Sequence, residues 1–349
     1  MKYLVTGANG FIGQHLVRML TRQNHSVRAL CRSSHIHPEL SHPGTEIFSG
    51  DILNLESVKN AVTGCDGVFH LAAYAHNWAR NPKTFFDVNV GGFRNILEAS
   101  LDSSVKRVVF TSSALTIGPS NGTPLDGSTP RILPPFTAYE QSKCEAETLA
   151  RQYDSRQLNV ITVNPARVFG PGPLNEGNAV AKMIDWYLCG KWRFILGDGS
   201  AMGSYVFVED VARGHILAME GGRSGERYLL GGENVSLNGL FDLVRSISGC
   251  RHSLFHIPEA MVLAFAQLEE ILGRTLNIYP LVTRSWVKTF MRDWECDSSK
   301  STREIGYTVT PLRESLESSI TWLRNGRASA NEDFSSLGNE RRLMERVTA

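Results

Sequence analysis

The chain has 349 residues, a formal net charge of +1 and 20% charged residues, so it has length for a large core but no strong field for nucleic acid. No apolar run reaches the roughly 18 residues that a bilayer span needs. The six cysteines are scattered without C-x-x-C spacing, which argues against a metal site or disulfide framework and for reduced thiols in the cytoplasm.

The chain opens with Met1-Lys2-Tyr3-Leu4-Val5-Thr6-Gly7, a strand running into a turn rather than a secretory leader. Strands are expected at Lys2 to Thr6, Ser26 to Cys31, Glu46 to Ser49, Gly67 to Leu71, Val105 to Thr111 and Asn159 to Asn164. Their Val/Ile/Leu/Phe runs lack polar alternation, as parallel strands covered on both faces do. Helical patterns lie between them, at Phe11 to Gln23, Leu55 to Val62, Pro82 to Ser100 and Ala138 to Tyr153. Alternating strand and helix predicts an α/β fold, a Rossmann-type doubly wound parallel sheet, over residues 1–165.

After Pro165 the texture changes. Gly170-Pro171-Gly172-Pro173 is a loop, and short extended pieces at Tyr205 to Val208 and Tyr228 to Leu230 alternate with helices. Residues 166–324 are expected to form mainly a smaller substrate-binding lobe, with some segments returning to the sheet. Pro258 to Phe290 reads as one long apolar helical region: packing core first, a pocket lid or subunit contact as the alternative. Residues 325–349 read as a mobile polar tail.

Gly7-Ala8-Asn9-Gly10-Phe11-Ile12-Gly13 ends the first strand and opens the first helix. The first glycine permits the tight turn, and the second lets the backbone approach a pyrophosphate. The third packs the helix on the strand, and the helix N-terminus offers its N–H groups to the anion. The second strand ends in Cys31-Arg32-Ser33-Ser34 with no carboxylate for a ribose hydroxyl. Arg32 and Ser33 suit a 2′-phosphate, so NADP(H) is expected over NAD(H), the latter staying open.

Tyr139 and Lys143 lie one turn apart on a helix that Thr137 and Glu140 have the spacing to cap. A free phenol titrates near pH ~10, and a neighbouring ammonium and the helix N-terminus would lower that. The same spacing also occurs as an exposed helix pair. Here Thr111-Ser112-Ser113 closes a buried strand at the carboxyl edge of the sheet, where Ser113 can reach a ligand oxygen.

In this order the motifs resemble the extended short-chain dehydrogenase/reductases over Lys2 to Leu323. They include Asp51-Ile52, His70-Leu71-Ala72-Ala73, Asn89 and Asn164-Pro165-Ala166-Arg167-Val168-Phe169-Gly170-Pro171. The resemblance implies that Gly7, Asn9, Gly10, Phe11, Ile12, Gly13 and Thr111 contact the cofactor and that Asp51 and Ile52 touch its adenine. It implies that Leu71, Ala72 and Ala73 line the cofactor channel, that Pro165, Ala166 and Val168 sit at the nicotinamide, and that Asn89 orders a relay water. Ser113 would polarise a substrate carbonyl, Tyr139 would exchange the proton, and Lys143 would tune Tyr139 and hold the ribose. A homodimer through two helices per subunit is common in that family.

The family holds both nucleotide-sugar epimerases or dehydratases and reductases of the dihydroflavonol-reductase and hydroxysteroid-dehydrogenase kind. Gly203 stands where the sugar enzymes usually carry an arginine for the diphosphate, and Arg292 is the one nearby substitute. Tyr74, His76, Trp78, Phe136, Trp186 and Tyr187 are expected to form an aromatic substrate wall, although for each aromatic taken singly ordinary core is the first reading. The expectation is therefore an NADPH-dependent ketone or aldehyde reductase. The alternatives are a nucleotide-sugar epimerase with bound NAD and, more remotely, a non-catalytic dinucleotide sensor.

Overall fold

The computed structural model describes residues 1–155, 157–276, 279–280 and 282–327. In chain order the strands are β1 (Lys2–Thr6), β2 (Ser26–Cys31), β3 (Thr45–Ser49), β4 (Gly67–His70), β5 (Arg107–Thr111) and β6 (Asn159–Pro165). β7 (Arg167–Phe169), β8 (Phe194–Leu196), β9 (Met202–Phe207), β10 (Arg227–Leu230), β11 (Glu233–Ser236) and β12 (Phe255–Ile257) follow. The helices are α1 (Phe11–Arg22), α2 (Leu55–Val62), α3 (Lys83–Phe86), α4 (Phe93–Asp102), α5 (Ala138–Tyr153) and α6 (Ala179–Leu188). After them come α7 (Val208–Gly221), α8 (Leu237–Ser248), α9 (Glu259–Leu276), α10 (Arg284–Phe290) and α11 (Ser299–Ile305), then a helix over 312–327.

Seven strands form one parallel sheet in the order β10-β6-β5-β4-β1-β2-β3. Successive side chains leave a strand on opposite faces, so an unbroken apolar run feeds two cores. Tyr3 and Val5 join α1 and α7 residues such as Leu16, Val17 and Ile216 on one face. Leu4, with Val108 and Phe110, joins Val58, Ile96 and Ala146 of α2, α4 and α5 on the other. The strand order reverses beside β1, between β2 and β4, which opens a crevice at the carboxyl ends of β1 and β4.

β10 supplies the returning segment, pairing parallel with β6. The rest of the C-terminal half builds a three-stranded sheet β11-β9-β7, a two-stranded sheet β12-β8, and a separate core around Phe169, Tyr187 and Phe241.

Three expectations need correction. Pro82 to Ser100 is not one regular helix: a π-helical stretch at Asp87–Gly92 separates α3 from α4, and such turns favour functional positions. Pro258 to Phe290 holds two helices, and among the described residues their facing Val262, Ala266 and Val287 form a small core. α9 leaves Met261, Phe265, Leu268, Ile271 and Leu276 exposed. Of the expected tail, 325–327 finish a helix that Arg327 ties to Asp185, and the remainder lies outside the described residues. No described helix is long and apolar enough to cross a membrane.

Candidate active site

The glycine turn is built for close approach. Gly7 has φ +70°, a conformation that L side chains rarely adopt, and a Cβ there would lie 2.7 Å from the Ala72 nitrogen. At Gly13 a Cβ would lie 2.2 Å from the Gly7 carbonyl oxygen, so α1 rests directly on the turn. Gly10 caps α1 with no side-chain hydrogen bond, and the first turn holds no acid. That leaves backbone N–H groups and the positive helix end for an anion, which fits a dinucleotide pyrophosphate.

The surrounding candidates divide by location. Ile12, Leu71 and Ala73 line the crevice, with Pro165, Ala166 and Val168 opposite. Phe11 is buried against His15, and Ile52 is buried against Gly92, with its carbonyl held by Asn95. Asp51 accepts from the Leu53 N–H at 3.0 Å. The Asn9 amide donates to the His35 carbonyl (2.9 Å) and accepts from the His37 N–H (2.8 Å), so its side chain pins the loop after β2. Arg32 and Ser33 emerge exposed at the end of β2.

On the other side of the crevice, Thr137 caps α5 by accepting from the Glu140 N–H at 3.0 Å. The Glu140 carboxylate accepts from the Phe136 N–H (3.0 Å) and from Arg131 (2.8 Å), one residue further back than a capping box would reach. This fixed start puts Tyr139 in the first turn and Lys143 one turn on. Both line one cleft of about 370 Å³ with Thr111 and Ser113.

Lys143 is buried, donates to the Thr111 carbonyl at 2.8 Å and lies 5.0 Å from the Phe110 ring centre. Burial pulls its ammonium down to about 7, against the Glu147 carboxylate. Burial also pushes the Tyr139 phenol up to about 12, with a Ser113 hydrogen bond acting in the opposite sense. The expected lowering of Tyr139 by Lys143 and the helix end is therefore corrected: for this half-buried phenol desolvation is the largest influence, and it raises the value.

Asn89 is also more committed than expected. Its carbonyl accepts from the Tyr74 N–H at 2.7 Å, and its amide donates to Ser142 Oγ at 2.8 Å. Ser142 in turn donates to the Tyr139 carbonyl at 2.8 Å, so the Asn89 side chain braces the first turn of α5 through Ser142.

The aromatic wall differs from the expected set. His76 lines the cleft mouth, bonded to Glu176 at 3.0 Å. Tyr74 packs on Phe85 and His76, and Trp78 packs on Tyr279, both outside the cleft lining. Phe136 lies between Arg131 and Arg292. Trp186 does not face the cleft: helical period turns it outward on α6, beside Trp192 and Lys182, while Tyr187 turns into the lobe core.

The cleft is walled instead by Trp286, Phe290 and Trp294, together with Thr289 and Arg167. Glu147 was also overlooked. Buried four residues after Lys143, it accepts from Ser112 (2.6 Å), Thr116 (2.7 Å) and Asn164 (2.7 Å) and pairs with Arg227. Its i, i+4 spacing from Lys143 was the available signal.

The model of the NAD dependent epimerase/dehydratase family matches residues 3–231. A Synechocystis protein provisionally assigned as a dihydroflavonol 4-reductase is 31% identical, over 93% of this chain and 94% of its own. A Stigmatella aurantiaca ketoreductase, named for a 4-hydroxy-2-methyl-3-oxo-4-farnesyl-3,4-dihydroquinoline-1-oxide, is 30% identical over 88% of this chain and 92% of its own. The Thermotoga maritima UDP-glucose 4-epimerase, solved with UDP-glucose, superposes with a TM-score of 0.78 at 25% identity, covering 93% of this chain and 99% of its own. With the glycine turn and the Ser-Tyr-Lys cleft in one frame, the chain belongs to the NAD dependent epimerase/dehydratase family, in its extended short-chain dehydrogenase/reductase form.

Proposed function

We propose that this chain is an NADP(H)-dependent reductase of a ketone or aldehyde on a mainly hydrophobic molecule, working reversibly as an alcohol dehydrogenase. The carrying observation is one cleft with Ser113, Tyr139 and Lys143 among its lining and three aromatic rings, Trp286, Phe290 and Trp294, in its wall.

The glycine turn would hold the pyrophosphate, Arg32 and Ser33 a 2′-phosphate, and Lys143, Pro165, Ala166 and Val168 the nicotinamide end. When bound, the nicotinamide supplies or accepts the hydride. Ser113 donates a hydrogen bond to the carbonyl oxygen, and Tyr139 delivers the proton to that oxygen. A phenol pushed up to about 12 carries its proton at neutral pH, so the proton that reduction consumes is in place. The names of the two curated relatives, a dihydroflavonol reductase and a farnesylquinoline ketoreductase, support the same chemistry.

The likeness to the UDP-glucose 4-epimerase favours a second reading, a nucleotide-sugar enzyme that keeps NAD bound. One preparation separates the two. The purified protein is denatured and any released dinucleotide quantified by mass, while undenatured protein is titrated with NADPH and NADH. The reductase reading expects little retained cofactor, tighter NADPH binding, and a loss of at least about tenfold for NADPH, but less for NADH, in Arg32→Asp. Near-stoichiometric retained NAD would overturn it in favour of the epimerase.

A further inference from the structure

Arg167 heads β7, and its register partner across the parallel pair with β9 is Tyr205. Its Nη1 donates to the Tyr205 hydroxyl at 3.0 Å. The guanidinium carbon lies 5.4 Å from the centre of the Tyr205 ring and 4.9 Å from that of Phe290. Two rings and a hydrogen bond thus hold a planar cation in place. A Cβ is missing where it would intrude: at Gly203 it would lie 2.7 Å from Arg167 Nη1. Gly203 therefore leaves the room that the Arg167 guanidinium fills.

Arg167 lines the same cleft as Tyr139 and Ser113. A guanidinium has five N–H donors, and one bond to a phenol leaves most of them unspent. Among the described residues no carboxylate stands within ion-pair reach of it, and the acids lining the cleft are engaged elsewhere. Glu140 pairs with Arg131, and Glu176 bonds His76 and Tyr279. Lys143 gives one of its three donors to the Thr111 carbonyl and stands at the reacting end with Tyr139 and Ser113. Arg167 is the cleft's guanidinium, apart from that end, with donors to spare. One such cation matches a single negative charge better than the two of a diphosphate.

We propose that Arg167 is a substrate-recognition residue that binds an oxyanion, a carboxylate, carried by the hydrophobic substrate apart from its reacting carbonyl. This deepens the reductase reading and rests on it for the reaction, but the subsite is tested by binding alone.

Decanoate, methyl decanoate and decyl phosphate are titrated into the NADPH-loaded protein, following the fluorescence of the cleft tryptophans Trp286 and Trp294. The wild type is expected to bind decanoate at least about tenfold tighter than the ester, as a charge-assisted bond supplies. Arg167→Met should bring the two together, and Arg167→Lys should restore part of the gap. Equal binding of acid and ester by the wild type, or a gap that survives in Arg167→Met, overturns the proposal. Decyl phosphate binding at least tenfold tighter than decanoate would replace the carboxylate by a phosphate. An acid preference lost in Arg167→Met, without turnover of any keto acid, would uphold the subsite and sink the reductase.

Discussion

The ammonium of Lys143 donates to the backbone carbonyl of Thr111 at 2.8 Å, tying α5 to the end of β5 inside the sheet's second core. Phe110, the residue before that carbonyl, offers its ring face to the same charge. A single hydrogen bond and a ring compensate only partly for lost water, so burial pulls the ammonium down to about 7.

This has a consequence for stability. In the unfolded chain Lys143 titrates near ~10.4, so between about pH 7 and that value the unfolded state binds the extra proton. Stability should therefore rise with pH across this window, by at most about 1.4 kcal/mol per unit from this group. Urea unfolding at several pH values checks it. Lys143→Met should flatten the rise, and an unchanged slope would show that Lys143 is not the source.

Glu147 gathers three hydrogen bonds and an ion pair at the end of β5. Removing its carboxylate leaves Arg227 without this acid and Ser112, Thr116 and Asn164 without their shared acceptor. Glu147→Ala is expected to cost about 3–5 kcal/mol in urea unfolding. Glu147→Gln, which keeps an acceptor oxygen, should cost less. Equal losses would mean that the negative charge alone matters there, and neither the acceptor oxygen nor the side-chain volume.

Two buried histidines set an acid limit. His70 bonds Thr6 at 2.8 Å and stacks on Phe93, and burial takes it down to about 3. His215 bonds Thr111 at 2.8 Å and falls to about 4 for the same reason. Both stay neutral when folded, while the unfolded chain protonates them near ~6.5. Stability should fall as pH drops below that value, by up to about 1.4 kcal/mol per unit for each histidine. His215→Gln should remove a measurable part of this slope in unfolding between about pH 6 and pH 4.

Much of the frame was legible because local pattern and burial agree. The bounds Ser26 to Cys31, Leu55 to Val62 and Ala138 to Tyr153 follow from apolar runs and caps, and the structure has them at those residues. The glycine turn and the pair Tyr139 and Lys143 are each contained in one short segment, so spacing alone brings their members together. The substrate wall is different. Trp286, Phe290 and Trp294 reach the cleft through contacts between segments far apart in the chain, Thr289 on Glu140 and Trp294 beside Gly203, which no local period encodes. Trp186 and Tyr187 were the sequence's own aromatic pair, but adjacent helical positions face opposite ways, one outward and one into core. Arg167 is brought to the cleft by the pairing of β7 with β9, where Gly203 leaves it room, and these segments lie far apart in the chain.

The central claim is that Tyr139 delivers the proton in an NADPH-dependent reduction. The most direct measurement is NADPH oxidation over a panel of hydrophobic ketones and aldehydes by the wild type and Tyr139→Phe, with NADPH affinity measured in both. The account predicts turnover by the wild type and a loss of at least about 100-fold in Tyr139→Phe, the scale of a missing general acid, with NADPH affinity nearly intact. A variant that keeps more than about a tenth of the wild-type rate would contradict it, because removing a positioned acid costs far more than that.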